Sequence, residues 1–145
     1  MTLVLAIPLI MLGGSIGAIC RYLVQSAVAS WTRLPGWCGV MIVNVIGSFL
    51  IGFFVNWIGQ DLSALQPRGQ SLMTLEVKRV ELGELLALSA VGFCGAFTTF
   101  STFSLDNYFL SIEERGRLLF NVVASVVLCF AAAYGGWILG SVVAS

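Results

Sequence analysis

The sequence predicts an all-α integral membrane protein with four transmembrane helices, and two observations support this. Of its 145 residues, 59% are hydrophobic and 10% are charged, whereas a soluble domain carries roughly 25% charged residues. The charges also leave four charge-free segments, at residues 1–20, 34–60, 85–105 and 118–145. Each segment reaches the roughly 20 residues that a helix needs to cross a bilayer. We therefore expect a single membrane domain over residues 1–145.

The first two helices are expected at about residues 3–28 and 40–58, separated by a Pro-Gly turn. Gly13 and Gly17 are spaced so that another helix can approach the first one closely. Asn44 places an amide in the middle of the second helix, where an unpaired polar group costs several kcal/mol. It either bonds a neighbouring helix or lines a polar path, and the sequence leaves both interpretations open.

The third helix, at about residues 84–108, is expected to be broken near residues 95–98. Two glycines and a run of hydroxyl side chains lie inside this apolar span. Irregular backbone at that depth is tolerated only where it is buried in protein or lines a polar path. The charged stretch before it, residues 61–83, is expected to form a long polar loop.

The fourth helix is expected at about residues 114–142. Ser111 and Glu114 have the spacing of a capping box at its start. Near its end, Gly136 and Gly140 repeat the small-residue spacing of the first helix, which indicates a second close helix contact.

The basic residues give no clear orientation in the membrane. One side holds four of them and the other three: Arg21, Arg33, Arg115 and Arg117 against Arg68, Lys78 and Arg79. So small a difference leaves the positive-inside rule undecided. Either the chain inserts in both directions and pairs as an antiparallel dimer, or the count is too crude to use.

Neutral polar side chains recur along the predicted helices, and they could form a track for an ion or bond one helix to another. Examples are Asn44, Ser101, Thr102, Asn121 and Ser125. A proton-coupled transporter usually places an ionisable residue inside the membrane. No span has one at its centre, and the chain has no histidine. This favours a passive path for a small ion.

Three further sets of residues each have a functional and a structural interpretation. Phe100 and Phe103 either pack or turn their positive ring edges toward a small anion. Gly95 and Thr98 bracket the expected break, where freed carbonyls could coordinate Na⁺, or where a glycine kink is satisfied by threonine hydroxyls. Arg21 snorkels to the interface, draws anions into a vestibule, or does both.

Three segments resemble the Fluc family of small fluoride channels, also called CrcB. They are residues 13–22 (GGSIGAICRY), 43–52 (VNVIGSFLIG) and 92–103 (GFCGAFTTFSTF). The resemblance implies an antiparallel, dual-topology homodimer in the bacterial inner membrane, with two pores and a structural Na⁺ at the dimer centre. It implies a passive exporter of cytoplasmic fluoride and no enzyme, with fluoride, a second copy and membrane lipid as partners and no nucleic acid.

The resemblance also implies roles for individual residues. The fluoride pore would be formed by Asn44, Phe100, Phe103, Ser101, Thr102, Asn121 and Ser125, the vestibule by Arg21, and the Na⁺ site by the carbonyls of Gly95 and Thr98. Two other classes stay open. A small proton-coupled multidrug antiporter would need a carboxylate within its first helix, which this sequence lacks, and a non-transporting membrane assembly subunit would need no polar path.

Overall fold

Within the described residues, four helical segments are long and apolar enough to cross a membrane. The computed structural model describes residues 3–32, 34–64 and 72–144. The elements in chain order are α1 (Leu3–Trp31), α2 (Gly36–Ala64), α3 (Leu72–Leu86), a π-helical segment (Ala87–Cys94), α4 (Gly95–Phe97), α5 (Phe100–Glu113) and α6 (Arg115–Ala144). The candidate membrane spans are Ala6–Trp31, Gly36–Gln60, Leu75–Ile112 and Arg115–Val143. The prediction of an all-α, multi-pass membrane protein is confirmed.

The polar loop predicted over residues 61–83 is largely helical, so this prediction is wrong. The helix α2 continues to Ala64, and α3 begins at Leu72. The charged residues Glu76, Lys78, Arg79 and Glu81 lie on α3. Residues 72–86 are rich in Leu, Glu, Lys and Arg, which favour helix, and contain no proline. Residues 65–71 and Arg33 lie outside the described residues. Two of the seven basic residues, Arg33 and Arg68, are therefore not described by the structure.

The turn between α5 and α6 consists of one residue and does not contain the predicted capping box. Ser111 lies inside α5, where its hydroxyl donates to the carbonyl of Tyr108 at 2.6 Å. Because this hydroxyl bonds back to its own helix, the predicted capping box is wrong. Glu114 alone separates the two helices, with extended backbone angles (φ −149°, ψ 93°). Its exposed carboxylate pairs with Arg117 at 2.7 Å, which stabilises such a turn only slightly.

The first helix packs through its glycines against the π-helical segment. A Cβ atom at Gly13 would overlap the carbonyl oxygen of Leu88, and one at Gly17 would overlap that of Phe93. The close approach predicted from the glycine spacing is therefore confirmed. Since lipid gives no hydrophobic force between helices, such tight packing is what holds them together. This contact holds the π-helical segment, which precedes the predicted break, against α1.

The helices α2 and α6 form the most extensive contact in the described fold. A Cβ at Gly136 would overlap the carbonyl oxygen of Phe49, and one at Gly140 would also meet the backbone of α2. Beside them, the buried Asn56 donates from Nδ2 to the carbonyl of Trp137 at 2.6 Å. The second predicted close contact is thus confirmed, and it fixes the position of α6 relative to Asn44 on α2.

We expect Gly136→Ala to lower the free energy of unfolding by about 2 kcal/mol, because the backbone at Phe49 must move to make room. Gly135→Ala is the matched control, since a Cβ there would meet nothing within 4 Å. Thermal unfolding of the helical signal in detergent measures the difference. Equal melting temperatures for the two variants would contradict the close approach of α2 and α6.

Candidate functional site

The third span is interrupted at Thr98 and Thr99, at the far end of the predicted break. Both residues have extended backbone angles, φ −76°, ψ 157° and φ −148°, ψ 122°. The N–H and the hydroxyl of Thr98 both donate to the carbonyl of Cys94, each at 3.0 Å, which ends the first half of the span. The predicted break in the third helix is confirmed.

Asn44 of α2 satisfies the backbone at this break. Its Nδ2 donates to the carbonyl of Thr99 at 3.1 Å, and its Oδ1 accepts from the N–H of Thr99 at 2.8 Å. Thr99 is only 7% exposed, so both groups would otherwise lack partners in an apolar surrounding. The interpretation of Asn44 as a link between helices is therefore confirmed. Asn44 also lines a groove beside the break, so the interpretation that it lines a polar path stays open.

The hydroxyl of Thr99 begins the second half of the span. Its Oγ1 accepts from the N–H of Thr102 at 3.3 Å, which is the bond of a helix N-cap. The same oxygen lies 3.0 Å from the hydroxyl of Thr102 and 3.3 Å from that of Ser101. Ser101 and Thr102, which were predicted to line a pore, therefore lie next to the residue that caps α5.

We expect Thr99→Val to lower the free energy of unfolding by about 1 kcal/mol, because valine has no oxygen to cap α5. Thr99→Ser keeps that oxygen and should retain most of the stability. Chemical denaturation in detergent compares the two variants. A serine variant as unstable as the valine variant would show that the cap is not the cause.

A groove of about 460 Å³ lies beside the break, between α2, α5 and α6. The polar residues that line it are Asn44, Ser48, Thr98, Thr99 and Ser125, and the apolar ones are Ile51, Phe100, Phe103, Val126, Cys129, Phe130 and Ala133. All the described residues that line it are uncharged. The groove therefore offers hydrogen-bonding groups and aromatic rings without a fixed charge.

Phe100 and Phe103 stand together on the groove wall, as their spacing predicts. Their ring centroids are 6.1 Å apart and their planes meet at 41°. Phe100 is 79% exposed in the single chain. Its ring is therefore free to present either its negative face or its positive edge to a neighbour.

On α6, Ser125 lines the groove, and Asn121 lies one helical turn before it on the same face of the helix, outside the groove lining. The Ser125 hydroxyl donates to Oδ1 of Asn121 at 3.3 Å, and Asn121 is 1% exposed. The Nδ2 of Asn121 donates in turn to Oδ1 of Asn107 on α5 at 2.8 Å. Asn107 was not among the predicted site residues. Asn107 and Asn121 are each seven residues from Glu114 and so lie level on two antiparallel helices, but only the structure places the turn at Glu114.

The carbonyls of Gly95 and Thr98 have lost the donors that an unbroken helix would supply. Those donors are the N–H groups four residues later, on Thr99 and Thr102. Both N–H groups donate instead to side-chain oxygens. Carbonyls freed in this way are the ligands that broken membrane helices offer to Na⁺. Two oxygens from one chain are too few to surround an ion, although they fit as part of such a site.

Arg21 reaches the break from α1 and is not among the residues that line the groove. Its Nη1 donates to the carbonyl of Thr98 across a long 3.5 Å contact, and the side chain is half-buried. A guanidinium at this depth favours negative charge nearby. The structure therefore places Arg21 at the break and not among the residues that line the groove.

Comparison with known proteins identifies the family. The family model described as CrcB-like protein, Camphor Resistance (CrcB), matches residues 8–137. The chain belongs to the CrcB family. All three segments that carried the sequence resemblance lie inside the matched region, so that resemblance is confirmed.

Curated relatives of this CrcB-family chain carry the name fluoride-specific ion channel FluC. The relative from Gluconobacter oxydans is 36% identical over 132 residues, which cover 90% of this chain and 81% of the relative. The relative from Magnetococcus marinus is 36% identical over 138 residues, covering 91% and 94%. A longer relative from Methylococcus capsulatus is 39% identical over 134 residues, and the chain spans 50% of its length. These names describe channels, in agreement with the prediction that the CrcB-family chain is not an enzyme.

The predicted pore residues of this CrcB-family chain divide into two groups. Asn44, Phe100, Phe103 and Ser125 line the groove. Ser101, Thr102 and Asn121 do not line it but are hydrogen-bonded to residues that do. Ser48, a neutral polar residue of the second predicted helix, also lines the groove, although the family resemblance did not imply a pore role for it. Its i+4 spacing from Asn44 puts both on one face of α2.

Proposed function

We propose that the protein is a fluoride-selective passive channel whose ion path includes the groove beside the break. The observation that carries this proposal is the lining of the groove, which combines uncharged hydrogen-bonding side chains with the rings of Phe100 and Phe103. A conducting site must bind an ion well enough to admit it and weakly enough to release it. Neutral donors meet both needs, whereas a fixed positive charge would hold an anion. The names of the curated relatives support fluoride as that anion.

Individual groups supply the donors in this path. The Asn44 amide carries two hydrogens, and only one is used on the carbonyl of Thr99. The second can be donated to an ion in the groove. The hydroxyl of Ser48 and the positive ring edges of Phe100 and Phe103 would offer further positively polarised hydrogens to the anion. Selectivity against chloride would come from the width of the path and the dehydration it imposes.

The driving force for export would be the membrane potential across a bacterial inner membrane. An anion gains about 2.3 kcal/mol per 100 mV when it leaves a negative interior. Fluoride enters cells as HF, a weak acid that dissociates in a near-neutral cytoplasm and leaves its anion trapped. A passive path is therefore sufficient for export, with no coupled proton and no pump.

Assembly as a homodimer is the second part of the proposal. Gly95 is exposed near the middle of the third span, and a Cβ there would meet nothing within 4 Å. Backbone freed from helical bonds is not left facing lipid, so protein must cover it. A second copy in the opposite orientation would do so, in keeping with the near-equal basic charge on the two sides. A dimer mass for the detergent-solubilised protein is expected.

A structural Na⁺ at the centre of that dimer would be held by the carbonyls of Gly95 and Thr98 from both copies. The residues fit such an ion because their helical donors bond elsewhere. A carbonyl oxygen has two lone pairs, so Thr98 could accept from Arg21 and still face the ion. Arg21 would also draw fluoride toward the adjoining vestibule.

Efflux from liposomes tests the channel proposal. The purified protein is reconstituted in vesicles loaded with potassium fluoride or potassium chloride, and valinomycin carries the balancing potassium. Rapid loss of fluoride with chloride retained is expected. Vesicles tight to both ions would indicate a non-transporting subunit, and flux that requires a proton gradient would indicate an antiporter.

A further inference from the structure

We infer that Asn107 is a positioning residue that sets the hydrogen-bond polarity of Ser125, and so decides whether this hydroxyl can donate to an anion in the groove. The inference rests on the proposed channel function and deepens it. It arises from one chain of side-chain hydrogen bonds between α5 and α6.

In the observed arrangement every hydrogen in this chain points away from the groove. Ser125 donates to Oδ1 of Asn121, and Nδ2 of Asn121 donates to Oδ1 of Asn107. A hydroxyl has a single hydrogen, and that of Ser125 is used on Asn121. Ser125 therefore turns only lone pairs toward the groove that it lines, and lone pairs repel an anion.

Turning over both amides reverses the chain. The oxygen and the NH₂ group of an asparagine are close to equal in size, so a flip exchanges donor and acceptor in place. After the reversal, Asn107 donates to Asn121 and Asn121 donates to Ser125, whose hydroxyl hydrogen becomes free to point into the groove. Both arrangements contain the same two hydrogen bonds, but only the reversed one offers a donor to an anion. An anion in the groove would select it.

The amide of Asn107 makes this reversal possible. Asn121 is fully enclosed between its two partners, whereas Asn107 forms the half-buried end of the chain. An asparagine there can serve as acceptor in one arrangement and as donor in the other. An aspartate could only accept, so it would lock the chain in the observed arrangement and keep the Ser125 hydrogen on Asn121.

Asn107→Asp is therefore the decisive substitution, tested alone and together with Ser125→Ala. Alone, it should lower fluoride efflux at least about tenfold, the change expected when one hydrogen bond to a charged ion is lost, while the dimer mass is unchanged. In the Ser125→Ala background it should have no further effect, because no hydroxyl is left to orient. This lack of additivity is a result that a merely structural role would not produce.

Two results would overturn the inference. One is unchanged efflux for Asn107→Asp. The other is the same loss with and without the Ser125 hydroxyl, which would assign the effect to added negative charge beside Asp106, whose Oδ2 is buried with no hydrogen-bond partner among the described residues. Absence of fluoride efflux from the unaltered protein would instead remove the channel proposal, so the two failures are distinguishable.

A second measurement covers an Asn107→Asp variant that fails to assemble. Nitrogen NMR of labelled side-chain amides in the unaltered protein should show the Asn107 and Asn121 signals moving together when fluoride replaces gluconate. In Ser125→Ala the same exchange should leave both signals in place. Unmoved amide signals in a conducting protein would also overturn the inference.

Discussion

Replacing Asn44 by leucine should abolish fluoride conduction and lower the free energy of unfolding by about 2–6 kcal/mol. The two hydrogen bonds of its amide satisfy the N–H and the carbonyl of Thr99. Leaving a buried polar group without a partner costs about 1–3 kcal/mol, and leucine leaves two. The break would close or distort, and the amide hydrogen proposed to face the ion would be lost. Liposome efflux and chemical denaturation measure the two effects.

Asn56→Leu is the matched control for this experiment. It removes an amide from the same helix, where Nδ2 bonds the carbonyl of Trp137, but Asn56 does not line the groove. It should lower stability and leave fluoride efflux per assembled protein near that of the unaltered chain. Efflux that survives Asn44→Leu, or that is lost equally in both variants, would contradict a specific role for Asn44 in the path.

Phe100→Ile should lower fluoride efflux about tenfold while dimerisation is retained. Isoleucine is apolar and fits in the space of the ring, but it has no positive edge to turn toward an anion. The ring of Phe100 is 79% exposed in the single chain, so its removal leaves the packing within that chain nearly unchanged. Fluoride efflux and the mass of the detergent-solubilised protein are the two measurements.

Phe109→Ile provides the comparison, because Phe109 lies on the same helix and is 52% exposed but does not line the groove. Its efflux should match that of the unaltered protein. Unchanged efflux in Phe100→Ile would remove the aromatic part of the mechanism and leave the channel proposal standing.

The sequence predicted the features that depend on local composition. Four spans follow from the charge-free segments, and the close contacts at Gly13 and Gly136 follow from the spacing of small residues. The break could be predicted because glycines and hydroxyls are unusual inside a membrane helix. The charges of residues 72–83 suggested a loop, since charge alone does not separate a loop from a helix that extends beyond the apolar part of a span.

The detailed arrangement of the site could not be predicted, because it depends on the rotation of α5 after the break. Two extended residues, Thr98 and Thr99, separate α5 from the preceding helix. The helical periodicity of the residues before the break therefore does not predict which way the side chains of α5 point. This is why Ser101 and Thr102 face the cap at Thr99 and do not line the groove. The pairing of Asn107 with Asn121 likewise depends on a one-residue turn that a sequence pattern does not specify.

The most direct measurement is the reversal potential of the unaltered protein in a planar bilayer, with potassium fluoride on one side and potassium chloride on the other. A fluoride-selective channel should carry a current whose reversal lies far from zero, displaced toward the equilibrium potential of fluoride. A reversal near zero would contradict fluoride selectivity, because equal chloride permeation or a potassium current would produce it. A bilayer with no current under either salt would contradict the channel itself.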